Sequence, residues 1–389
     1  MLALEGIRIL DLTWLLPYTT LLADFGAEVI KVEEPIRGDY ARWNPPMVGG
    51  LSQYFLSLHR NKKSLTLNLK TEKGKEIFYR LVEKSDAIIE SFRPGVTKRL
   101  GVDYETVKKF NPKIIYCSVS GYGQDSPYKD LPGHDINYVS IAGILGLTRR
   151  PGEPPTIPGV QIADLGGGVL MATASILIAL IAREKTGKGQ YIDIAMTDGA
   201  ISWLTIPSAF YFAEGEKFDI EKIPVVGYPP CYNVYETKDG KYVSIGCLEE
   251  RFWRNLCVSL GREDLINYQF ADGEKGKEVK SILQKIFRTK TRDEWFKELS
   301  KADVCVGPVY NLDETFNDPH TLKREMVVEF EHPKAGKIKL LGIPPKFSET
   351  PGKIRSPAPE LGEHTREILK NLLGFNDKDI DKLKEDGVI

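Results

Sequence analysis

Short β-branched apolar runs alternate with amphipathic stretches along the first half of the chain. The runs predict strands at 7–12, 28–33, 64–69, 87–92, 113–118 and 191–196, and the stretches predict helices at 19–25, 71–84, 104–110 and 175–185. This alternation favours an α/β fold with a Rossmann-like, doubly wound parallel sheet. No GxGxxG motif follows the first run, so the sequence does not indicate a nicotinamide cofactor.

The pattern changes near residue 215. Two predicted strands, 232–236 and 242–245, flank the hairpin signal Lys238-Asp239-Gly240, and predicted helices follow at 250–260, 276–288 and 292–301. After two more predicted strands, at 327–330 and 338–341, a proline-rich crossing at 351–359 leads to a helix from Thr365. We therefore predict a large domain from 1–214 that is completed by 326–389, and a smaller α+β domain over 215–325.

Composition excludes several classes of protein. The 389 residues include 53 basic and 54 acidic side chains, so bulk nucleic-acid binding is not expected. The five cysteines form no CxxC pair, which argues against a disulfide framework or a zinc site and predicts reduced thiols in the cytoplasm. No signal-peptide pattern precedes the first strand. The longest apolar run, 168–182, is shorter than the about 20 residues that cross a membrane, so we predict a buried helix and no membrane partner.

Two residues are candidate proton carriers. His134 lies in the stretch GHDINY (133–138), which begins a predicted helix, and histidine can gain and lose a proton near neutral pH. Asp164 begins another predicted helix and is followed by Gly166, Gly167 and Gly168. Either residue could simply cap its helix. However, each glycine inside a helix costs about 1 kcal/mol, and bare N–H groups at a helix start would favour developing negative charge.

Other charged groups have two readings as well. Glu249 and Glu250 follow a predicted strand of the smaller domain, where they stabilise a helix dipole or place a carboxylate that orients a histidine. Basic residues near the predicted strand ends of the large domain would suit the phosphates of a nucleotide: Arg60, Lys62, Lys63, Lys70, Arg93, Lys98 and Arg99.

Motifs along nearly the whole chain resemble those of the class III CoA-transferase and α-methylacyl-CoA racemase superfamily (CaiB/BaiF-like). They occupy residues 6–12, 23–33, 64–70, 92–96, 120–123, 187–190 and 359–365. The resemblance implies a Rossmann-like large domain built from both chain ends, and two chains interlocked as a homodimer. It also implies an acyl-CoA thioester as substrate, with no further cofactor and no metal.

Position 134 distinguishes the branches of this superfamily. Transferases are similar in the aspartate at 164, which they use as a nucleophile, but they commonly carry an aromatic residue at 134 and a glycine-rich loop at 247–250. The racemases share GHDINY, the aspartate and the Leu-Glu pair with this chain. By resemblance, His134 and Asp164 would exchange the α-proton of a 2-methylacyl-CoA through an enolate, and Glu249 would orient His134. Transfer of CoA between carboxylic acids is the alternative.

The resemblance also implies the binding residues. Arg37, Lys70, Phe92, Arg93, Arg99, Gly133, Asp135 and Tyr138 would contact the CoA moiety or line the thioester pocket. Two features depart from the family pattern. Glu34 stands where an arginine is usual, with Arg37 as its substitute, and the loop over 13–18 is shorter and lacks a glycine. How the CoA phosphates are held and which acyl chain is bound therefore stay open at this stage.

Overall fold

A computed structural model describes residues 1–149 and 153–389, which form two units. The first unit comprises Met1–Leu145, Ile157–Trp203 and Pro319–Ile389, and the second comprises Gly146–Thr156 and Leu204–Asp318. The predicted domain boundaries lay after 214 and after 325. In the structure the second unit begins and ends somewhat earlier and also includes a short segment before residue 157.

The first unit is built on a six-stranded parallel sheet. The strands of its N-terminal part are β1 (Arg8–Leu12), β2 (Glu28–Glu33), β3 (Met47–Val48), β4 (Leu51–Ser52), β5 (Lys62–Thr66), β6 (Ala87–Glu90), β7 (Ile115–Ser120) and β8 (Gln190–Ala195). The sheet order is β5-β2-β1-β6-β7-β8, while β3 and β4 form a separate small hairpin. The predicted Rossmann-like sheet is confirmed. Its order reverses between β1 and β6, and ligands of such sheets bind at the carboxyl ends of the strands beside this point.

Helices cover both faces of the sheet. The helices of the first unit are α1 (Thr20–Asp24), α2 (Gln53–Leu58), α3 (Glu72–Val82), α4 (Val96–Leu100), α5 (Tyr104–Val107), α6 (Asp135–Ile141), α8 (Met171–Thr186) and α9 (Met196–Ile201), while α7 (Ile144–Leu147) begins in the first unit and ends in the second. Neighbouring residues of β1 show the two layers, because Ile9 and Leu10 are fully buried in different apolar cores. The central strands are almost entirely buried, and their short apolar runs made them visible in the sequence although Asp11 and Lys31 are buried within them.

The predicted strand 64–69 begins and ends earlier than expected, at Lys62–Thr66. Leu67 still donates its N–H to the carbonyl of Glu33, but the N–H of Asn68 turns to the carbonyl of Val388 instead (both 2.8 Å). The apolar alternation continues past the strand because Leu67 and Leu69 pack against the same core. Periodicity alone therefore misplaced the strand end.

One helix among the described residues is long and apolar enough to cross a membrane by length and composition. It spans Ile162–Thr186, with a π-helical first part over Ile162–Leu170 that continues into α8. The sequence analysis judged the apolar run 168–182 too short to cross a membrane. That argument about length is wrong, because the helix begins six residues before the run and ends four residues after it. In the most apolar stretch of this helix, 44% of the residues are buried. The core helices of other proteins can be equally long and apolar, so length and composition are weak signs of a membrane span here.

The second unit contains a three-stranded antiparallel sheet with helices. Its strands are β9 (Tyr232–Glu236), β10 (Tyr242–Gly246) and β11 (Val306–Pro308), and its helices are α10 (Thr205–Glu214), α11 (Glu250–Ser259), α12 (Gly273–Phe287), α13 (Arg292–Leu299) and α14 (Leu312–Asn317). The predicted hairpin is confirmed: β9 pairs antiparallel with β10, and Gly240 in the turn has a φ of +71° that favours glycine.

The last part of the chain returns to the first unit. It contains β12 (Val327–His332), β13 (Gly336–Leu341), α15 (Pro319–Lys323), α16 (Thr365–Asn371) and α17 (Asp377–Glu385). The side chain of Asn61 holds the proline-rich crossing, since it donates to the carbonyl of Lys353 (2.8 Å) and accepts from the N–H of Ser356 (3.0 Å). The sequence-based expectation of a returning segment agrees with this arrangement.

Candidate active site

The loops that follow β1 and β6 meet where the strand order reverses. The backbone N–H of Trp14 donates to Ser91 Oγ at 3.0 Å and joins the two loops. Two cavities open here within the first unit. An inner cavity of about 540 Å³ is lined by His134 and Asp164, and an outer cavity of about 1250 Å³ is lined by several cationic side chains.

His134 is an exposed side chain at the start of α6, as the sequence predicted. It is the N-cap residue with an extended backbone, and its N–H donates to Asn137 Oδ1 at 3.0 Å. Its carbonyl accepts the N–H of Asn137 at 2.8 Å, the first bond of the turn. The imidazole therefore stands at the cavity wall on a backbone fixed by its own helix.

Asp164 lies inside its helix and is not the cap. The helix begins at Ile162, with Gln161 as N-cap residue. The N–H groups of Ala163 and Asp164 both donate to Asp135 Oδ1, at 2.7 and 3.0 Å. The expectation that these N–H groups would be open to a ligand is wrong, because a carboxylate of α6 already occupies them. Asp135 does not line the inner cavity and acts on it through this backbone.

The carboxyl group of Asp164 is half-buried, and burial raises its pKa to about 6. The negative charge of Asp135 raises this pKa further, while His134 opposes the rise. A carboxyl group with such a pKa is ionised to a useful extent near neutral pH and can still accept and return a proton. Perturbed carboxyl groups in a cleft are also typical of functional sites.

The triple glycine has a packing role. A Cβ on Gly166 would lie 2.4 Å from the indole of Trp203, and one on Gly167 would lie 2.3 Å from the carbonyl oxygen of Met196. Gly166, Gly167 and Gly168 are all buried. The expectation that they leave bare backbone for a ligand is therefore wrong, since they let the helix approach α9 closely.

Tyr138 is held between two glycines on the cavity wall. A Cβ on Gly121 or on Gly133 would lie 2.4 or 2.6 Å from its ring, and its hydroxyl donates to the carbonyl of Gly133 at 2.6 Å. Burial and the charge of Asp164 raise the pKa of Tyr138 to about 12. Gly133, Tyr138 and Arg93 all line the inner cavity, together with His134.

The outer cavity brings together four of the eight predicted binding residues. Arg37, Lys70, Phe92 and Arg99 line it. The three cationic side chains among them are exposed and would neutralise phosphate groups. Glu34 lines the same cavity, and its carboxylate accepts the backbone N–H of Arg37. Arg37, the predicted substitute for the usual arginine, therefore lines the same cavity as Glu34, and its role towards the phosphates stays a prediction.

Three basic residues that seemed suited to phosphates are bound elsewhere. The buried Arg60 pairs with Asp24 at 2.7 Å, and the buried Lys62 pairs with Asp11 at 3.0 Å. Lys63 pairs with two glutamates of the surface. These cations are held in ion pairs within the first unit, and the sequence could not distinguish them from the cations of the cavity.

Glu249 belongs to the second unit, where it is the N-cap residue of α11. Its role towards His134 stays a prediction. Among the described residues, no group of three or more His, Cys, Asp or Glu side chains is arranged to hold a metal ion.

Sequence reasoning missed most of the other residues that line these cavities, and three of them bear on ligand binding. Trp14 and Tyr40 line both cavities, and Lys384 lines the outer one. The position of Trp14 directly after a buried parallel strand was a signal for it, because such strand ends carry binding sites. Lys384 had no comparable signal, since it lies in α17 at the far end of the sequence.

Residues 4–365 match the family model described as CoA-transferase family III. The chain belongs to this family. Human succinyl-CoA:glutarate CoA-transferase is 36% identical over 395 residues, covering 99% of this chain and 90% of the relative. Human alpha-methylacyl-CoA racemase is 33% identical over 405 residues, covering 100% and 98%. A solved structure of a CAIB/BAIF family protein from Brucella suis has a TM-score of 0.81 at 32% identity, with 95% and 99% coverage.

The family III relatives include enzymes named for two different reactions at similar identity. The superfamily of CoA-transferases and racemases is therefore established for this chain, and the reaction has to be argued from the site.

Proposed function

We propose that this family III protein epimerises the α-carbon of 2-methylacyl-CoA thioesters by proton transfer through an enolate. The observation that carries the proposal is that His134 and Asp164 line one cavity and that the pKa of Asp164 is raised to about 6. Two proton carriers at one cavity supply what the reaction needs, a base on one face of the α-carbon and an acid on the other.

In the proposed reaction one residue removes the α-proton, and the electron pair of the broken C–H bond forms a planar enolate. The other residue then donates its proton to the opposite face and restores the C–H bond with inverted configuration. His134 would serve one face and Asp164 the other. The cycle leaves both residues ready to act in the reverse direction with their protonation states exchanged, so no co-reactant is consumed.

Arg37, Lys70 and Arg99 would hold the phosphates of CoA in the outer cavity, and Phe92 would contact the arm that leads inward. Asp135 would act by fixing the backbone of Asp164. Glu249 would orient His134, in line with the family resemblance. We propose that the reaction needs no cofactor, since the CoA thioester is itself the substrate. We also propose that the protein is cytoplasmic.

We also propose an interlocked homodimer. The helix Ile162–Thr186 leaves large apolar side chains exposed on the first unit, with Ile178 65% and Ile181 60% accessible. Surfaces of this kind are typical of protein contacts. Light scattering coupled to size exclusion tests this part, with a monomer as the contradicting result.

CoA transfer between carboxylic acids is the second candidate, favoured by the 36% identity to the human succinyl-CoA:glutarate enzyme. In that reaction the carboxylate of Asp164 would attack the thioester carbonyl and form a mixed anhydride with release of the CoA thiolate. His134 would have no direct chemical role in this route, which gives a test that separates the two.

The deciding experiment incubates an enantiopure 2-methylacyl-CoA in D₂O without any acceptor acid. We expect deuterium at the α-carbon together with loss of optical purity, and neither in His134→Gln or Asp164→Asn. Parallel reactions with succinate or glutarate measure CoA transfer. Transfer that needs Asp164 and survives His134→Gln, with no α-deuteration in the wild type, would overturn the racemase in favour of the transferase.

A further inference from the structure

The two cavities of the first unit meet at a ring of side chains that they share. The outer, cation-lined cavity and the inner cavity that holds Asp164 have four lining residues in common: Trp14, Tyr40, Phe92 and Val96. All four present rings or apolar groups, whereas charged side chains lie on either side of them. We call these four residues the collar.

The backbone on either side of the Trp14 ring is fixed by buried polar groups. The N–H and the hydroxyl of Thr13 donate to Asp11 Oδ1 at 2.9 and 2.6 Å. The N–H of Trp14 itself donates to Ser91 Oγ at 3.0 Å. The shortened loop after β1 therefore has little freedom, and the indole is carried on a rigid support.

A second carboxylate, Asp39, connects the loops that carry the two aromatic rings. It accepts the N–H of Leu15 at 3.1 Å and the N–H of Ala41 at 2.8 Å, and it pairs with the buried Lys31 at 2.7 Å. Leu15 has a φ of +65°, which residues other than glycine rarely adopt, so the loop turns sharply there. The two rings stack with centroids 5.7 Å apart and planes inclined by 21°.

This construction matters for any ligand with phosphates in the outer cavity and a thioester in the inner one. The segment that joins the two ends of such a ligand has to pass the collar. In an acyl-CoA this segment is the pantetheine arm, which is uncharged and presents methyl, methylene and amide groups. Aromatic rings offer large, rigid contact surfaces for such groups.

From this geometry we infer that Trp14 and Tyr40 are positioning residues. Their rings contact the pantetheine arm and set how deeply the thioester enters the inner cavity. The inference rests on the proposed binding of a CoA thioester and extends it to residues that the family resemblance did not provide. Positioning of this kind acts on rate, because a small misplacement of the reacting atoms can cost about a hundredfold.

Calorimetric titration of the full-length protein tests the contact with the pantetheine arm without any turnover. The two ligands are CoA, which has the arm, and adenosine 3′,5′-bisphosphate, which has nucleotide phosphates and no arm. We expect Trp14→Ala to raise the Kd of CoA about tenfold while that of the bisphosphate changes by less than about twofold. Tyr40→Ala should also raise the Kd of CoA and leave that of the bisphosphate nearly unchanged. Tyr40→Phe, which keeps the ring, should bind CoA as the wild type does.

Kinetics provide the second measurement. An acyl-N-acetylcysteamine thioester is too short to reach through the collar, so Trp14→Ala should lower kcat/KM about a hundredfold for the acyl-CoA and only slightly for the short thioester. Equal losses for both ligands or both substrates would mean that the rings only support the fold, and no loss for CoA would also overturn the inference. A wild type that binds CoA but catalyses neither reaction would refute the proposed function alone.

Discussion

Asp135 controls the environment of Asp164 without lining the cavity. One carboxylate oxygen of Asp135 accepts the backbone N–H of Asp164 at 3.0 Å, and the charge of Asp135 contributes, after burial, to the raised pKa of Asp164. A residue of α6 therefore holds the backbone of a group on another helix and adds to the rise in its pKa that burial causes. His134, the neighbour of Asp135 in the sequence, lies on the same cavity as Asp164.

Asp135→Asn should lower the pKa of Asp164. The amide oxygen can still accept the two N–H groups, but the negative charge that disfavours ionisation of Asp164 is removed. We expect the acid limb of the kcat/KM profile to move to lower pH, because Asp164 then stays ionised to a lower pH. The exposed Asp130→Asn is the matched control and should leave the limb in place. An unchanged limb in Asp135→Asn would contradict the electrostatic link.

Gly121→Ala should displace the ring of Tyr138 from the cavity wall. The new Cβ would lie 2.4 Å from that ring, which is far below a van der Waals contact. Overpacking of this kind costs about 1–3 kcal/mol in the free energy of unfolding. Gly146→Ala is the control, because no atom of the described residues outside its chain neighbours and its own helix lies within 4 Å of the added Cβ. Urea denaturation measures both, and a wild-type stability in Gly121→Ala would contradict the close approach.

Glu90 should make the stability of the protein depend on pH. Its buried carboxyl group has a pKa raised to about 7 by desolvation, and it accepts the N–H of Phe92 at 2.8 Å. The folded state therefore holds this proton more tightly than the unfolded state, in which the pKa is about 4.3. By this contribution the free energy of unfolding falls as the pH rises from about 4.3 to about 7 and levels off above it.

The comparison that isolates this contribution is wild type against Glu90→Gln, in urea denaturation between pH 5 and pH 8. Glutamine cannot ionise, so the variant should gain stability relative to the wild type as the pH rises. The expected slope is at most about 1.4 kcal/mol per pH unit, the value for one proton. A difference between the two proteins that does not change with pH would rule out Glu90 as the titrating group.

Lys384→Gln should weaken binding of CoA thioesters. Lys384 lines the outer cavity, and the segment after it is held to the first unit by the bond from the N–H of Asn68 to the carbonyl of Val388. We expect KM to rise about three- to tenfold with kcat unchanged, as for loss of one phosphate contact. Lys382→Gln, two residues earlier on α17 and exposed, is the control. Repeating the assay with a 3′-dephospho-CoA thioester shows which phosphate is involved, and equal KM values for variant and wild type would exclude the contact.

The sequence predicted the parts of the fold and site that depend on local pattern. The strand at 28–33 is observed as Glu28–Glu33, because its β-branched residues Val29, Ile30 and Val32 are buried in a sheet covered on both faces. GHDINY placed His134 at a helix start because its turn chemistry is local. By contrast, the acceptor role of Asp135 and the position of Lys384 depend on contacts between segments distant in the sequence, for which no local signal exists.

The three glycines after Asp164 show the same limit, and they give the last prediction. Sequence reasoning interpreted them as open backbone, while the structure packs Gly167 against α9, where a Cβ would lie 2.3 Å from the carbonyl oxygen of Met196 and 2.9 Å from the N atom of Ala200. Backbone atoms cannot move aside as a flexible side chain can. Gly167→Ala should therefore separate the two helices and cost about 3 kcal/mol or more in the free energy of unfolding.

Gly159→Ala is the control for Gly167→Ala, because its added Cβ meets no atom within 4 Å in the part of the chain that the structure describes, its two chain neighbours apart. The two proteins should be compared by urea denaturation and by calorimetric binding of CoA. Since the packed helix carries Asp164 and not the cations of the outer cavity, folded Gly167→Ala protein should bind CoA with little change while its turnover falls. Full stability in Gly167→Ala would contradict the close packing, and a fall in turnover or in CoA binding without a fall in stability would favour the ligand-facing backbone that the sequence first indicated.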